Sequence, residues 1–574
     1  MTFNELKKNT KRDFSGFKKV KLALLGDSAT QFLAKAIRGF GFEYQLDINV
    51  FDADYNQIER QIFDLGSELY SFNPDFTVVF ESSHNLLQKF NKSSEVDRII
   101  FAEKQLERIS KLIEFLQHNI TTKIICFNYA EDDDRVFGNF ANKVKTSFIY
   151  QLRKSNYLIS EYATKNSGFY VCDISTIQNK MGRDFLFSPS IYVNSGMVFS
   201  IDALPLVAES VTQMIVAFQG KFKKCIILDL DNTLWGGVIG DDGINNIQIG
   251  NLGIGKAFTE FQYWIKKLQQ RGIIICVCSK NTDSIAKEPF EKHPDMVLHL
   301  NDIAVFMANW ETKVDNIKHI QQILNIGFDS MVFIDDNPFE RNIVRQNIHD
   351  ITVPELPKDP AEYLEYLYSL NLFETVSYSV EDAKRTEQYK IESERVTVQA
   401  SFENEDDFLK SLKMISDVQP FNSFSIPRIA QLSQRSNQFN LRTIRYSEDE
   451  IKQIATNDRY FTFSFTLEDK YGDNGLICAV IFEKRLSKEL FIDTWFMSCR
   501  VLKRGMENFV LNHIVNFARK NEYKVIIGEY IPTEKNELVK MHYSSLGFID
   551  IGNFWELNIA TYQPKECFIE TKLN

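Results

Sequence analysis

Two aspartates stand one residue apart at the end of an apolar run, within the stretch CIILDLDNTLWGGVIGDDG that spans residues 225–243. Side chains two apart on a strand share a face, so Asp229 and Asp231 can both point into the crevice beyond the sheet edge. Open α/β sheets bind their ligands in that crevice. One carboxylate can act as a nucleophile while its neighbour protonates a leaving group. The backbone N–H groups of the turn that holds Gly236 and Gly237 can cradle phosphate oxygens.

Further polar signals follow the later apolar runs of the same region. Ser279 ends the run IIICVCSKN, where a hydroxyl can hold a phosphate oxygen. Lys313 lies in WETKVDNI, where an ammonium group can neutralise a transferring phosphoryl group. Asp335 and Asp336 end MVFIDDN. Carboxylates that gather with Asp229 repel one another and require a hard cation, and Mg²⁺ with oxygen ligands fits.

Each of these signals also has a plain structural explanation. A pair of aspartates after a strand arises by chance, and Lys313 can be a solvated helix residue. Asp335 and Asp336 can mark a helix N-terminus, where negative charge is favourable. All of the signals occur in order along the chain, each at a strand end or a helix start, and this favours one working site.

Four segments are predicted from the apolar patterns, since 574 residues are too many for one hydrophobic core. Residues 1–220 and 221–370 each alternate short apolar runs with amphipathic stretches, which is the βαβ pattern of a parallel sheet covered on both faces. A proline-rich exit leads to a charged connecting helix within 371–400. Residues 401–574 form a third unit of strands and helices. The fold class is therefore α/β and multidomain.

The bulk composition excludes several classes of protein. A net charge of −11 argues against a general nucleic-acid binder. No apolar run approaches the roughly 20 residues that a membrane span needs, and the N-terminus lacks a signal-peptide core. None of the eight cysteines forms a CxxC pair, and several lie in apolar runs typical of reduced intracellular cysteines. We expect a soluble cytoplasmic protein that binds neither nucleic acid nor membrane.

The motif set as a whole resembles the haloacid dehalogenase (HAD) superfamily of aspartate-nucleophile phosphotransferases. The resemblance implies a Rossmann-like domain for residues 221–370. Because the segment between the first motif and the next helix is short, any cap domain is expected to be minimal. The residues that match the superfamily motifs are Asp229-x-Asp231-x-Thr233, Ser279, Lys313 and Asp335-Asp336.

The same resemblance implies a role for each carboxylate. Asp229 would attack phosphorus to form an aspartyl-phosphate. Asp231 would act first as general acid and then as general base. Mg²⁺ would be held by Asp229, the carbonyl of Asp231, and Asp336 or Asp335.

Four residues are expected to contact the substrate. Ser279 and Lys313 would stabilise the phosphoryl group, and Lys313 is counted with the catalytic residues. Thr233 and Asn281 are expected to bind the substrate.

A narrower resemblance is to the FkbH-like branch of this superfamily. It rests on DLDNTLWGGVIGDDG followed by IQIG, and on segments of the tail that include QLSQRSNQFNLRTIRYSEDE and PTEKNELVKMHYSSLGF. The resemblance implies a small phosphorylated substrate, a three-carbon acid such as 1,3-bisphosphoglycerate, whose phosphate is released. The glyceryl group would then be placed on an acyl carrier protein as a thioester. The alternatives are a simple phosphatase of small phosphomonoesters and a non-enzymatic interaction protein.

Such chemistry needs a thiol, and two cysteines are candidates. Cys278 comes directly before Ser279 and can be an acyl-holding nucleophile. Cys499 is the second candidate, because the basic residues that follow it, such as Arg500, favour a thiolate. The plain alternative for both is a small buried hydrophobic residue.

The tail, residues 401–574, resembles the GNAT acyltransferase fold. Its loop CRVLKRGMEN holds Arg504 and Gly505 but lacks the usual second glycine, which makes acetyl-CoA a poor fit. We expect Arg504, together with Arg500 and Lys503, to meet the phosphate of a carrier's phosphopantetheine arm. The alternative is a purely structural basic turn.

The first 220 residues resemble the SGNH hydrolase fold at Gly26-Asp27-Ser28. That hydrolase also needs a histidine base, normally in a DxxH near the end of the domain. Neither His84 nor His118 has an aspartate three residues earlier. A degenerate scaffold or a partner-binding surface is therefore the favoured interpretation.

Overall fold

The chain divides into two units, Met1–Val216 and Ala217–Asn574. The structure is a computed structural model that describes residues 1–378, 382, 385–399, 402–485, 488–533 and 535–572, without the side chains of residues 393, 394, 396 and 397. The second unit contains both the sheet that carries the predicted phosphoryl-transfer residues and a third sheet. The finer division of residues 217–574 stays a prediction.

Within the described residues, the first unit contains a five-stranded sheet in the order β2-β1-β3-β4-β5. All of its neighbouring strands run parallel. The apolar runs VKLALL, FTVVF, KIICF and FYVC account for four of these strands and confirm the sequence prediction. Their bounds are β1 Lys18–Gly26, β2 Leu46–Asp52, β3 Phe76–Phe80, β4 Lys123–Phe127 and β5 Phe169–Cys172.

Amphipathic helices connect these strands. In the helix at residues 31–43, the buried side chains Leu33, Ile37 and Phe40 recur at helical spacing and face the sheet side of the unit. The helices are α1 Phe3–Asn9, α2 Gln31–Glu43, α3 Ile58–Phe63, α4 Glu68–Phe72, α5 Ser83–Asn91, α6 Glu95–Ile99, α7 Phe101–Asn119, α8 Phe148–Lys165, α9 Ile174–Met181, α10 Arg183–Leu186, α11 Pro189–Ser195 and α12 Leu204–Phe218.

The second unit begins with a parallel sheet in the order β8-β7-β6-β9. Alternate residues of its central strand enter two different cores: Ile226 and Leu228 join one cluster, and Cys225 and Ile227 join the other. Both faces are thus covered, which explains the unbroken apolar run CIIL. The strands are β6 Cys225–Leu228, β7 Ile274–Ser279, β8 Val305–Ala308 and β9 Met331–Ile334.

The segment between β6 and the next long helix is short. Residues 229–254, all of them described, contain a single helix of four residues, so no cap domain is inserted there. The charged connecting helix predicted within 371–400 is present as α19, and residues 379–381, 383, 384 and 400 of that prediction lie outside the described residues. The helices are α13 Ile239–Asp242, α14 Gly255–Gln270, α15 Asp283–Lys292, α16 Lys313–Leu324, α17 Pro338–Asn347, α18 Tyr363–Leu370 and α19 Arg385–Gln399.

The third sheet is mixed and mainly antiparallel, as expected for a GNAT-like α+β module. Its path is β16-β17-β15-β14-β13-β12-β10-β18, and β11 pairs with β12. The neighbours β14 and β15 run parallel and are connected through α23. The strands are β10 Met414–Ser416, β11 Val418–Gln419, β12 Tyr460–Asp469, β13 Gly472–Arg485, β14 Glu489–Met497, β15 Val525–Gly528, β16 Ile549–Asp550, β17 Trp555–Asn558 and β18 Ile569–Thr571. The helices are α20 Glu405–Ser411, α21 Ile426–Arg435, α22 Glu448–Thr456, α23 Met506–Lys520 and α24 His542–Leu546.

Across the part of the chain that the structure describes, none of these helices has the length and apolar character that crossing a bilayer requires.

Candidate active site

The predicted site residues converge at one edge of the second parallel sheet. β6 and β9 are neighbours whose carboxyl ends pair Leu228 with Ile334. Asp229 therefore leaves the sheet beside Asp335. Lys313 is the first residue of α16, which follows β8. Parallel strands bring their carboxyl ends to one edge, and this is why residues so far apart in sequence meet.

Three carboxylates form a cluster there. Among the described residues, Asp229, Asp335 and Asp336 offer oxygen atoms that all lie within 4.8 Å of one another. Burial, together with the charge of Asp229, raises the pKa of Asp335 to about 7 and that of Asp336 to about 6. Like charges this close in a buried site favour a bound cation, and an all-oxygen donor set suits Mg²⁺. We call these three residues the carboxylate cluster.

Lys313 holds the cluster together from one side. Its Nζ lies 2.9 Å from an oxygen of Asp229 and donates a hydrogen bond to Asp335. Only 4% of Lys313 is exposed, which excludes the solvated helix residue considered as an alternative. Burial by itself would lower the pKa of Lys313, but the two carboxylates outweigh it and raise that pKa. The ammonium group is therefore a fixed positive charge at the site.

Asp231 lies apart from the carboxylate cluster in a cage of donors. Its Oδ1 accepts hydrogen bonds from the indole N–H of Trp235 and the backbone N–H of Ile239, both at 3.0 Å. Its Oδ2 accepts one from the amide of Asn281 at 3.2 Å. Burial raises the pKa of Asp231. A carboxyl that retains its proton more readily and is held in one orientation is suited to general acid catalysis.

The loop that follows Asp231 and leads to α13 contains two residues with positive φ. Asn232 adopts a left-handed conformation with φ +54°, and its side chain accepts a hydrogen bond from the N–H of Gly237 at 2.9 Å. Gly237 itself has φ +94°, and a Cβ there would lie 2.6 Å from the carboxylate of Asp242. The hydroxyl of Thr233 accepts a hydrogen bond from the N–H of Asp336 at 3.2 Å. Thr233 thus ties the first motif to the last.

Sequence reasoning missed one residue that supports this site, Arg341. Its guanidinium is buried and donates to the backbone carbonyls of Asp335 at 2.8 Å and Asp336 at 2.6 Å. It also donates to Glu355 at 2.7 Å. Arg341 therefore fixes the backbone that presents the two aspartates. The available signal was an arginine in the first helical turn directly after the Asp-Asp-Asn-Pro turn.

Comparisons with known proteins agree with this geometry. Residues 21–216 match the family model described as FkbH, N-terminal domain. The chain is similar to a crystal structure described as the N-terminal part of BF1531 from Bacteroides fragilis, containing a phosphatase domain complexed with Mg. The identity is 54%, the match covers 66% of this chain and all of that chain, and the TM-score is 0.63.

The chain belongs to the FkbH-like family of the haloacid dehalogenase superfamily.

The C-terminal part of this FkbH-like chain is similar to solved acetyltransferases of low sequence identity. One is the ribosomal-protein-S18-alanine N-acetyltransferase from Escherichia coli, with 15% identity over 26% of this chain and 97% of that chain and a TM-score of 0.21. Another is spermidine N-acetyltransferase from Vibrio cholerae, with 12% identity over 25% and 96% and a TM-score of 0.21. Structural similarity at this level does not support a conclusion about activity. No curated protein matches the chain.

Ser279 and Cys278 end the strand β7 of the FkbH-like phosphatase sheet. Ser279 is buried, and its backbone carbonyl accepts a hydrogen bond from Asn309. Cys278 is 0% exposed, packs in the core with Cys225 and Cys276, and donates weakly to the carbonyl of Lys313 at 3.8 Å. Burial raises the pKa of the Cys278 thiol. This environment agrees with the buried alternative, and the acyl-holding role stays a prediction.

The guanidinium of Arg504 is bound within the protein. The residue is buried, and its guanidinium forms ion pairs with Glu392 of α19 and with Asp469, the latter at 3.3 Å. It also donates to the carbonyl of Arg500 at 2.9 Å. These internal bonds occupy the guanidinium, and the phosphate-binding role of Arg504 stays a prediction. Lys503, with φ +63°, is the exposed cation of this turn.

Proposed function

We propose that this chain is a magnesium-dependent phosphatase of the HAD type that dephosphorylates a phosphorylated three-carbon acid, such as 1,3-bisphosphoglycerate, through an aspartyl-phosphate. The glyceryl group would pass to the thiol of an acyl carrier protein. One observation carries the phosphatase part. Lys313 binds Asp229 and Asp335 within the carboxylate cluster, while hydrogen-bond donors hold the carboxyl group of Asp231 in one orientation near that cluster.

In the phosphatase step, an oxygen of Asp229 attacks phosphorus while the bond from phosphorus to the leaving oxygen breaks. Asp231 delivers its proton to that leaving oxygen, which departs as the alcohol. Asp231 then takes a proton from water as the water oxygen attacks phosphorus. The bond from phosphorus to the Asp229 oxygen breaks, which releases inorganic phosphate and restores the Asp229 carboxylate. Asn281 and Trp235 hold the Asp231 carboxyl in orientation for both proton transfers.

Asp229, Asp335 and Asp336 would hold Mg²⁺, because three carboxylates gathered in a buried site match its preference for oxygen ligands. When bound, the ion would neutralise negative charge on the phosphoryl oxygens and on the carboxylates. Lys313 supplies a second fixed positive charge on the same side. Arg341 keeps the backbone of Asp335 and Asp336 in place.

In the acyl-transfer step, a thiolate attacks the C1 carbonyl of the acyl phosphate, a thioester bond forms, and inorganic phosphate leaves from C1. The thiol is that of the carrier, or that of a cysteine which passes the acyl group on. The FkbH-like family membership supports this step. Of the two cysteines considered, Cys499 is partly exposed and lies 3.7 Å from the hydroxyl of Tyr389, whereas Cys278 is sealed in the core.

The test is to incubate the protein with Mg²⁺, 1,3-bisphosphoglycerate and a phosphopantetheinylated carrier protein, and to weigh the carrier by mass spectrometry. We expect a glyceryl adduct with the wild type. With Asp229→Asn, we expect either an acyl adduct that still carries a phosphate or an unmodified carrier. Unchanged carrier mass across cognate carriers would refute the acyl-transfer proposal.

The second candidate is a phosphatase of a small phosphomonoester that has no acyl acceptor. The internal pairing of Arg504 favours it, because a guanidinium bound to Glu392 and Asp469 is less available to a phosphopantetheine phosphate. This candidate predicts release of inorganic phosphate in the absence of any carrier. Strict dependence of turnover on a carrier would exclude it.

A further inference from the structure

A topological switch point lies at the carboxyl edge of the first unit's sheet. In the order β2-β1-β3-β4-β5, the chain leaves β1 toward β2 and leaves β3 toward β4, so neighbouring connections diverge between β1 and β3. Ligands of open α/β sheets bind at such a switch point, outside the carboxyl ends of the strands. Here the ends are level, because Gly26 pairs with Phe80. We call residues 27–28 and 81–85, which follow the two strands, the β1–β3 crevice.

The two sides of this crevice are joined by hydrogen bonds. The Oδ2 of Asp27 accepts bonds from the backbone N–H of Ser82 at 2.9 Å and from its hydroxyl at 3.3 Å. The amide of Asn85 donates to the carbonyl of Asp27 at 2.7 Å. These bonds fix the carboxyl group of Asp27 through Oδ2, and its second oxygen, Oδ1, takes part in none of them.

Four buried polar atoms of the crevice have no hydrogen-bond partner among the residues that the structure describes. One belongs to Asp27 itself, and the others belong to residues directly next in sequence to Asp27, Ser82 or Asn85. Native proteins satisfy the great majority of buried polar groups, so several unsatisfied atoms in one place call for an explanation such as a ligand or ordered water. The atoms are Oδ1 of Asp27, Oγ of Ser28, Oγ of Ser83 and Nδ1 of His84.

The charges nearby restrict the chemistry of such a ligand. Glu81 is paired with Lys89 at 3.1 Å and with Arg108. Arg183, whose charge reaches His84, is paired with Asp132 at 2.7 Å. Burial, and then the charge of Glu81, raises the pKa of Asp27 to about 7. Among the described residues, an anion would have to compete with these carboxylates for each of the three cations. Hydroxyl, carboxyl and imidazole groups that both donate and accept suit a neutral ligand with hydroxyl and carbonyl groups.

The helix α11 covers this crevice. The ring of Tyr192 contacts that of His84 at a tilt of 43° with centroids 4.6 Å apart, and the Tyr192 hydroxyl accepts a bond from Gln88 at 2.9 Å. The carbonyl of Gly196, which ends the helix with φ +68°, accepts the N–H of Ala29 at 3.0 Å. All seven residues of α11 are described, and none of them is buried. Opening α11 would therefore break a few polar contacts and would move no fully buried side chain of the helix itself.

We propose that the β1–β3 crevice is a binding site for a small neutral ligand that carries hydroxyl and carbonyl groups, and that α11 closes over it. Ser28, Ser83 and His84 provide the hydrogen bonds, and Asp27 provides a further one at the base. Nothing in this proposal depends on chemistry at the carboxylate cluster.

The experiment uses the full chain and methyl glycerate, a neutral ester with two hydroxyl groups, as the probe. Ligand-observed saturation-transfer NMR is recorded over a millimolar titration in the Asp229→Asn background, so that turnover at the other sheet does not interfere. We expect saturable binding that weakens at least tenfold in a Ser28→Ala, Ser83→Ala double variant. An exposed-serine control on the covering helix, Ser190→Ala, should bind like its parent.

Two further measurements keep the outcome decisive. Because the two hydroxyls have no partner in the described chain, the double variant should melt no lower than its parent, which separates lost binding from lost folding. Tyr192→Ala should speed exchange of the probe. Absence of saturable binding in both parent and Tyr192→Ala, equal affinity in the double variant, or displacement of the probe by inorganic phosphate would each overturn the proposal.

Discussion

The two parallel sheets place aspartates at the same kind of edge and surround them differently. Asp229 leaves β6 into a cluster where a buried lysine binds it and a second carboxylate. Asp27 leaves β1 into a crevice where the neighbouring carboxylate, Glu81, is paired with Lys89 and Arg108. The first edge thus offers positive charge to an anion, and the second offers neutral hydrogen-bonding groups. The edge of a parallel sheet provides a position, and the charges around it decide the chemistry.

The largest expected effect comes from removing the nucleophile at only one of the two edges. Asp229→Asn should lower phosphate release by at least about 10³-fold, because a carboxamide cannot form the aspartyl-phosphate. Its matched control is Asp27→Asn at the other edge, which should leave phosphate release unchanged. Release is measured with a small phosphomonoester and Mg²⁺. Turnover that survives in Asp229→Asn would remove the nucleophilic mechanism.

The next effect tests the cation that distinguishes the two edges. Lys313→Met leaves Asp229 and Asp335 close together and unpaired, and loss of one partner from a buried ion pair costs about 3–5 kcal/mol. We expect that loss in the free energy of unfolding, measured with denaturant, and partial recovery when Mg²⁺ is added. Lys280→Met is the control, since the Lys280 side chain is 38% exposed in its ion pair with Glu340, against 4% for Lys313. Equal stability of the two variants, with and without Mg²⁺, would contradict a central role for Lys313.

The sequence predicts the architecture of these edges well, because strands buried on both faces are continuous apolar runs. The strand β2 was missed for the same reason: LDINVFD mixes buried Leu46 and Ile48 with polar residues and forms the edge of its sheet. That Lys313, Asp229 and Asp335 belong to one site was predicted from the order of the motifs along the chain and from the resemblance to the HAD superfamily. The pairing of Arg504 with Glu392 was not predicted, because it joins residues 112 positions apart across the connecting helix.

Local pattern also could not decide which polar residues are satisfied within the protein. The substrate-binding role of Thr233 and Asn281 stays a prediction, but their bonds to Asp336 and Asp231 respectively could not be read from the sequence. Likewise, the alternation of β7 places Cys278 in a core but does not reveal how completely helix packing seals it. Such outcomes depend on side-chain packing between elements that are distant in sequence.

A smaller effect is expected where the protein supports the carboxylate cluster through its backbone. Arg341→Ala removes the donors to the carbonyls of Asp335 and Asp336. Partners of this kind cost roughly 10- to 100-fold in metal affinity or activity when they are lost. We therefore expect the Mg²⁺ concentration for half-maximal turnover to rise by that factor, while the KM for substrate changes less. Arg345→Ala, which removes another arginine that binds Glu355, is the control. Equal Mg²⁺ dependence of both variants would assign Arg341 to stability alone.

The smallest effect tests the cage around Asp231. Asn281→Ala removes one of its three donors, the one at 3.2 Å, and leaves Trp235 and Ile239 in place. If Asp231 is the general acid, the loss of orientation should depend on the leaving group, because a poor leaving group needs its proton more. We expect about a tenfold loss with an alkyl phosphate and a change of less than about twofold with p-nitrophenyl phosphate. Equal losses with both substrates would instead indicate that Asn281 contacts the substrate, which is the role predicted from the sequence. In that case the two remaining donors would be sufficient to orient Asp231.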